Sequence, residues 1–115
     1  MNKHIEISML CQIYGKLLTE KQYSAINDYY NNDLSLAEIA EIHNISRQGV
    51  RDLIMKGENK LFEFEEKLLI MKKTLNQEKQ IQEIISELNK IKDNSSDKKI
   101  EKILSNVMKE LVCLN

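Results

Sequence analysis

The sequence predicts an all-α protein, and three observations carry that prediction. The 115 residues include 3 Gly and no Pro, too little turn chemistry for many short strands. Lys, Glu, Leu, Ile, Asn and Gln dominate, and most of them are tolerable to good helix formers. Apolar residues recur at intervals of three and four along almost the whole chain, the period that buries one face of a helix.

The first helix is read from Lys3 to Leu17, where Ile5, Met9, Leu10, Ile13, Tyr14 and Leu17 form one apolar stripe. Thr19 with Gln22 three residues on makes a capping box, so a second helix starts at Glu20 and runs to about Tyr30, burying Tyr23, Ile26 and one of Tyr29 and Tyr30. Asn31-Asn32-Asp33 interrupts the pattern. Ser35 with Glu38 supplies a second capping box and a short third helix that ends near His43. Asn44 tolerates positive φ and suits a left-handed turn, after which Ser46 caps another helix. From there Val50, Ile54, Gly57, Leu61, Phe64, Leu68, Met71 and Leu75 alternate spacings of four and three, which predicts one helix of roughly seven turns reaching the polar stretch near Asn76. Whether it breaks near Gly57 is left open by the residues, since a glycine costs only about 1 kcal/mol inside a helix.

The last third repeats one pattern twice. Ile81, Ile84, Ile85, Leu88 and Ile91 form one stripe; Ile100, Ile103, Leu104, Val107, Met108 and Leu111 form another, with the polar loop Asp93-Asn94-Ser95-Ser96 between them. The prediction is a long-helix continuation and a C-terminal helical hairpin over residues 61–115, following a helix-turn-helix domain over residues 1–60.

Composition narrows the function. With 42% apolar residues and a net charge of −1, the chain has enough nonpolar surface to fold. No run of about 18 apolar residues occurs, and MNKHIEISML lacks a secretory core and cleavage site, so a cytoplasmic protein without membrane insertion is expected. In that compartment Cys11 and Cys113, near opposite ends, read as reduced, partly buried thiols. Residues 1–60 carry 7 basic and 8 acidic side chains and residues 61–115 carry 10 of each, so no basic tail attracts polyphosphate nonspecifically. His4 and His43 are far apart and no HExxH, CxxC, P-loop or GxSxG pattern occurs; an enzyme is not expected, nor a metal or cofactor.

The informative segment is Leu36 to Met55. Ala40, Asn44 four residues on and Val50 six further on have helix-turn-helix spacing: Ala40 lets two helices cross closely, Asn44 makes the turn, and Ile45, Val50 and Leu53 fill the angle. The bland alternative is an ordinary helical corner. The stretch LTEKQYSAINDYYNNDLSLAEIAEIHNISRQGVRDLIMKGENKL, residues 18–61, resembles the fourth region of bacterial sigma factors, and with the continuation FEFEEKLLI and the overall length it is similar to the YlxM family of small helix-turn-helix proteins. The resemblance implies a sigma-like helix-turn-helix fold and a regulatory part in the signal recognition particle pathway. It makes LSLAEIAEIHNISRQGV the support helix, turn and recognition helix, with Asn44 where many such motifs have glycine.

If Val50, Leu53, Ile54 and Gly57 face inward, Arg47, Gln48, Arg51, Asp52 and Met55 face outward, with Lys56 and Lys60 toward the flank. Arg and Gln suit bidentate contacts with guanine and adenine edges, and Ser46 at the helix amino end can meet a phosphate. The candidate nucleic-acid-binding set is therefore Ser46, Arg47, Gln48, Arg51, Asp52, Met55 and Lys56. The bland alternative for Arg47 and Arg51 is solvation or pairing with Glu41 and Asp52. Ser46 to Lys60 carries four basic and two acidic residues, so one copy is expected to bind DNA weakly and two copies are needed for useful affinity. The two apolar stripes near the C-terminus motivate a homodimer. The alternative to a DNA-binding regulator is an interaction module that contacts a signal recognition particle GTPase or its RNA.

Overall fold

In a computed structural model, which describes residues 1–114, every regular element is helical: α1 Lys3–Tyr14, α2 Glu20–Tyr30, α3 Leu36–His43, α4 Arg47–Leu68, α5 Ile70–Asp93 and α6 Lys98–Cys113, with a 3-10 turn at Gly15–Leu17 after α1. The chain divides into two compact units, one over Met1–Met71 and one from Lys72 onward.

In the first unit α4 is the central element and packs on α1, α2 and α3. The core is built from Ile7, Leu10 and Tyr14 of α1, Ala25 and Ile26 of α2, Ile39 and Ala40 of α3, and Val50, Ile54 and Leu61 of α4. Both capping boxes form: Thr19 Oγ1 accepts from the Gln22 amide and Ser35 Oγ from the Glu38 amide, while Gln22 and Glu38 accept from the cap amides in return. α2 and α4 cross closely because Gly57 has no Cβ, which would stand 2.4 Å from Ile26 Cδ1. The glycine does not break the helix; it is buried at the crossing.

Several sequence expectations are corrected here. The first helix ends at Tyr14 rather than Leu17, and Ile7 and Cys11 take the inward positions while Ile5 and Leu17 stay exposed. α1 is apolar on more than one side, so its partners α2 and α4 decide which side is buried. Tyr23 is exposed and Gln22 is buried in its place, because Gln22 is both the capping-box residue and a neighbour of Gly57. The N-terminal compact unit runs to Met71, with Leu61 fully buried in it and the Tyr14 hydroxyl donating to Glu65 at 2.8 Å. Of the two thiols, Cys11 is buried and Cys113 exposed; burial pushes the Cys11 thiol above its ordinary pKa.

The predicted seven-turn helix stops at Leu68. Leu69 adopts φ 56°, ψ 28°, a left-handed conformation that costs a branched side chain about 1 kcal/mol. α5 then runs through Asn76 without interruption, because Asn76, Gln77 and Glu78 are polar but compatible with a solvated helix face.

In the second unit α5 and α6 are joined at residues 94–97. Asp97 caps α6, its carboxylate accepting from the Lys99 amide at 2.9 Å. Each predicted stripe is divided lengthwise. Ile81 is buried, and Ile85, Leu88, Leu104, Met108 and Leu111 are half-buried; Ile84, Ile91, Ile100, Ile103 and Val107 are exposed. None of the described helices is long and apolar enough to cross a membrane.

Candidate nucleic-acid interface

The turn that presents α4 is set by local chemistry. α3 ends at Asn44, with φ 55° and ψ 45°, and its amide donates to the Ala40 and Glu41 carbonyls. The Ile45 amide also donates to the Ala40 carbonyl at 3.0 Å, so the orphan carbonyls at the end of α3 are satisfied as the chain turns. Ser46 follows in extended conformation and caps α4 by accepting from the Gly49 amide at 2.9 Å. Three residues thus separate two helices that pack on each other. Ala40 and Val50 fill the angle and Leu53 is half-buried there, but Ile45, expected inside, is 40% exposed. Its backbone is fixed by the turn, and its side chain covers the outer face of Gly49, where a Cβ would stand 3.4 Å from Ile45 Cδ1.

His43 steadies the support helix from behind. Its Nε2 lies 3.4 Å from the Ser24 hydroxyl and 3.8 Å from Asp28 of α2, at the carboxyl end of α3 where positive charge is favoured.

All seven candidate residues, Ser46, Arg47, Gln48, Arg51, Asp52, Met55 and Lys56, are exposed, while Val50, Ile54 and Gly57 on the opposite side of α4 are buried. Among the described residues Arg47 and Arg51 make no ion pair, with Glu41, Asp52 or any other carboxylate. Asp52 instead accepts from Gln48 Nε2 at 3.1 Å. That bond holds Gln48 and Asp52 together one turn apart and leaves both guanidinium groups uncompensated. Ser46 Oγ accepts within its cap, so its hydroxyl proton stays available to an acceptor such as a phosphate oxygen.

The second acidic residue of this stretch, Glu58, is committed elsewhere. It accepts from the Tyr30 hydroxyl and pairs with Lys3 at 3.5 Å. Burial and then Glu58 raise the Tyr30 pKa well above that of a free phenol, so the hydroxyl remains a donor. Lys60, expected on the flank, points its ammonium at Gln22 Oε1, 3.5 Å away. Sequence reasoning missed Lys3. Folding brings it to the edge of a shallow cleft of about 430 Å³ shared with Tyr29, Leu36, Arg51, Met55 and Glu58. A single lysine near the chain start carries no signal that it will lie beside a helix beginning at Arg47.

Comparison with known proteins agrees with this geometry. Residues 1–107 match the family described as "Putative helix-turn-helix protein, YlxM / p13 like". A UPF0122 protein of Clostridium perfringens (strain 13 / Type A) is 43% identical over 112 residues, which cover 97% of this chain and 98% of that one. A UPF0122 protein of Acetivibrio thermocellus is 43% identical over 107 residues, covering 93% and 92% of the two chains. One from Clostridium kluyveri is 39% identical over 111 residues, covering 96% of this chain and all of the relative. With its capped turn at Asn44 and a match over most of its length, the chain belongs to the YlxM / p13-like family of helix-turn-helix proteins.

Proposed function

We propose that the protein is a DNA-binding regulator of the cytoplasm that reads duplex DNA with the exposed face of α4. The observation that carries this reading is the pair of unpaired guanidinium groups, Arg47 and Arg51, one turn apart on a helix whose amino end is capped and free. Arg47 and Arg51 would reach guanine edges or phosphates, Met55 a thymine methyl, and Ser46 and Lys56 the backbone, with Gln48 and Asp52 acting as a linked polar pair. Binding, not catalysis, is the role these groups suit.

Two positive residues on one helix make weak affinity at physiological salt, so the reading includes a second copy. The exposed apolar residues of the C-terminal unit, Ile84 and Ile91 on α5 and Ile100, Ile103 and Val107 on α6, supply a reason for two chains to associate. Light scattering is expected to give twice the 13.5 kDa chain mass at micromolar concentration. A monomer under those conditions would remove the dimer from the account.

A second reading is favoured by the support helix and turn. Ile42 and Ile45 are exposed, and Glu38 and Glu41 of the same short segment are exposed too, a mixed apolar and acidic stretch better suited to protein than to phosphate. On that reading the same fold is an interaction module that contacts a signal recognition particle GTPase or its RNA. Titrating the protein with mixed-sequence duplex DNA and with signal recognition particle RNA across a salt series separates the two. DNA binding whose logarithm falls linearly with the logarithm of salt supports the regulator; retention of the GTPase without binding to DNA supports the module.

A further inference from the structure

The segment Leu68-Leu69-Ile70-Met71 contains no glycine, proline or asparagine, yet the helix stops there with Leu69 left-handed. Local propensity on both sides favours continuing the helix. What holds the break is a tertiary contact. The Tyr14 hydroxyl donates to Glu65 Oε1 at 2.8 Å and accepts from the Ile70 amide at 3.1 Å. The same Glu65 oxygen accepts from the Met71 amide at 2.9 Å. A tyrosine of α1 and a glutamate of α4 thus replace the missing side-chain cap of α5. They take the two amides that an unbroken helix would direct at carbonyls four residues back. The break leaves Leu68, Leu69 and Ile70 all 40% or more exposed, and only Met71 is buried.

We infer that the Leu69 junction is a two-state joint, held broken by the Tyr14–Glu65 pair, whose other state continues the helix through Leu69. In the unbroken state Leu69 returns to right-handed conformation, and the Ile70 and Met71 amides exchange Tyr14 and Glu65 for backbone carbonyls, so no polar group is orphaned. Against this stand the buried Met71 side chain and the hydrogen bonds by which Tyr14 and Glu65 take the Ile70 and Met71 amides, which only the broken state makes. The inference does not depend on what α4 binds.

The test is NMR on the full chain. Tyr14→Phe keeps the ring against Phe64 and removes the hydroxyl; Glu65→Gln removes the charge. In the double variant, Hα-to-amide contacts three residues apart are expected across residues 66–72, with the population of the unbroken state raised on the order of tenfold. Leu69→Gly, which relieves the left-handed residue, is expected to abolish those contacts in the same background and to suppress any microsecond-to-millisecond exchange at residues 69–71 in the otherwise wild-type chain. Should the double variant merely fray, with random-coil shifts at Ile70 and Met71 and no contacts across the junction, the pair is only a cap and the two-state joint is wrong. Absence of exchange at residues 69–71 in the wild-type chain, unaltered by Leu69→Gly, would overturn it equally.

Discussion

Replacing Leu61 by alanine is expected to lower the unfolding free energy of the N-terminal unit by about 3–5 kcal/mol. Leu61 is 0% exposed and lies on the inward stripe of α4, one turn beyond the Gly57 crossing, so truncation removes buried methyl groups and leaves a cavity whose walls belong to a helix packed on three others. A domain of this size has about 5–15 kcal/mol in all, and each kcal/mol lost moves the melting temperature by about 4–8 °C. Its neighbour Phe62, 37% exposed, should cost less when truncated, about 1 kcal/mol, because its surface is only partly removed from water. Urea titrations followed by circular dichroism compare the two variants. Equal midpoints would mean that α4 does not present the inward stripe described.

Changing Arg47 and Arg51 together to alanine is expected to weaken binding to duplex DNA by at least roughly a hundredfold at physiological salt and to lower the salt slope by about two for each copy bound, about four for the dimer. Both side chains are exposed and unpaired, so the melting temperature should hold within about 3 °C. Lys98→Ala on α6 keeps the same net charge loss per substitution but lies outside the reading helix, and it should leave the affinity within about twofold. If the lysine variant weakened binding as much as the arginine pair did, the contact would be one of bulk charge and not of α4.

The parts of this fold legible in the sequence are those fixed by chemistry within one helical turn. Thr19, Ser35, Asn44 and Ser46 each act on amides or carbonyls two to four residues away, so the starts of α2, α3 and α4 and the turn between α3 and α4 could be placed from residue types alone. The Leu69 break could not. Its cause is Tyr14, whose hydroxyl meets an amide 56 residues further along the chain. Gly57 was ambiguous because a glycine in a helix signals either a break or a close approach, and only Ile26 on α2 shows which. Gln22 and Tyr23 exchanged expected places for the same reason, since the glycine opposite selects the side of α2 that fits against it.

The candidate interface divides along the same line. Which side chains of α4 face outward follows from the helical period and the apolar residues that must face inward. Which of those outward charges is compensated does not: Asp52 was as near to Arg51 in sequence as to Gln48 in reach, and the side-chain geometry gives it to Gln48. Glu58 is taken out of the electrostatics by Tyr30 and Lys3, residues on α2 and α1 whose approach no local pattern announces.

Amide shift mapping during titration with a short duplex DNA tests the central claim most directly, because it reports where the nucleic acid sits without altering the protein. The account predicts that the largest shifts fall on Ser46 to Lys56, with smaller ones at the end of α3 and around Lys3. Shifts gathered on α5 and α6 while Arg47 and Arg51 stay unmoved would contradict it.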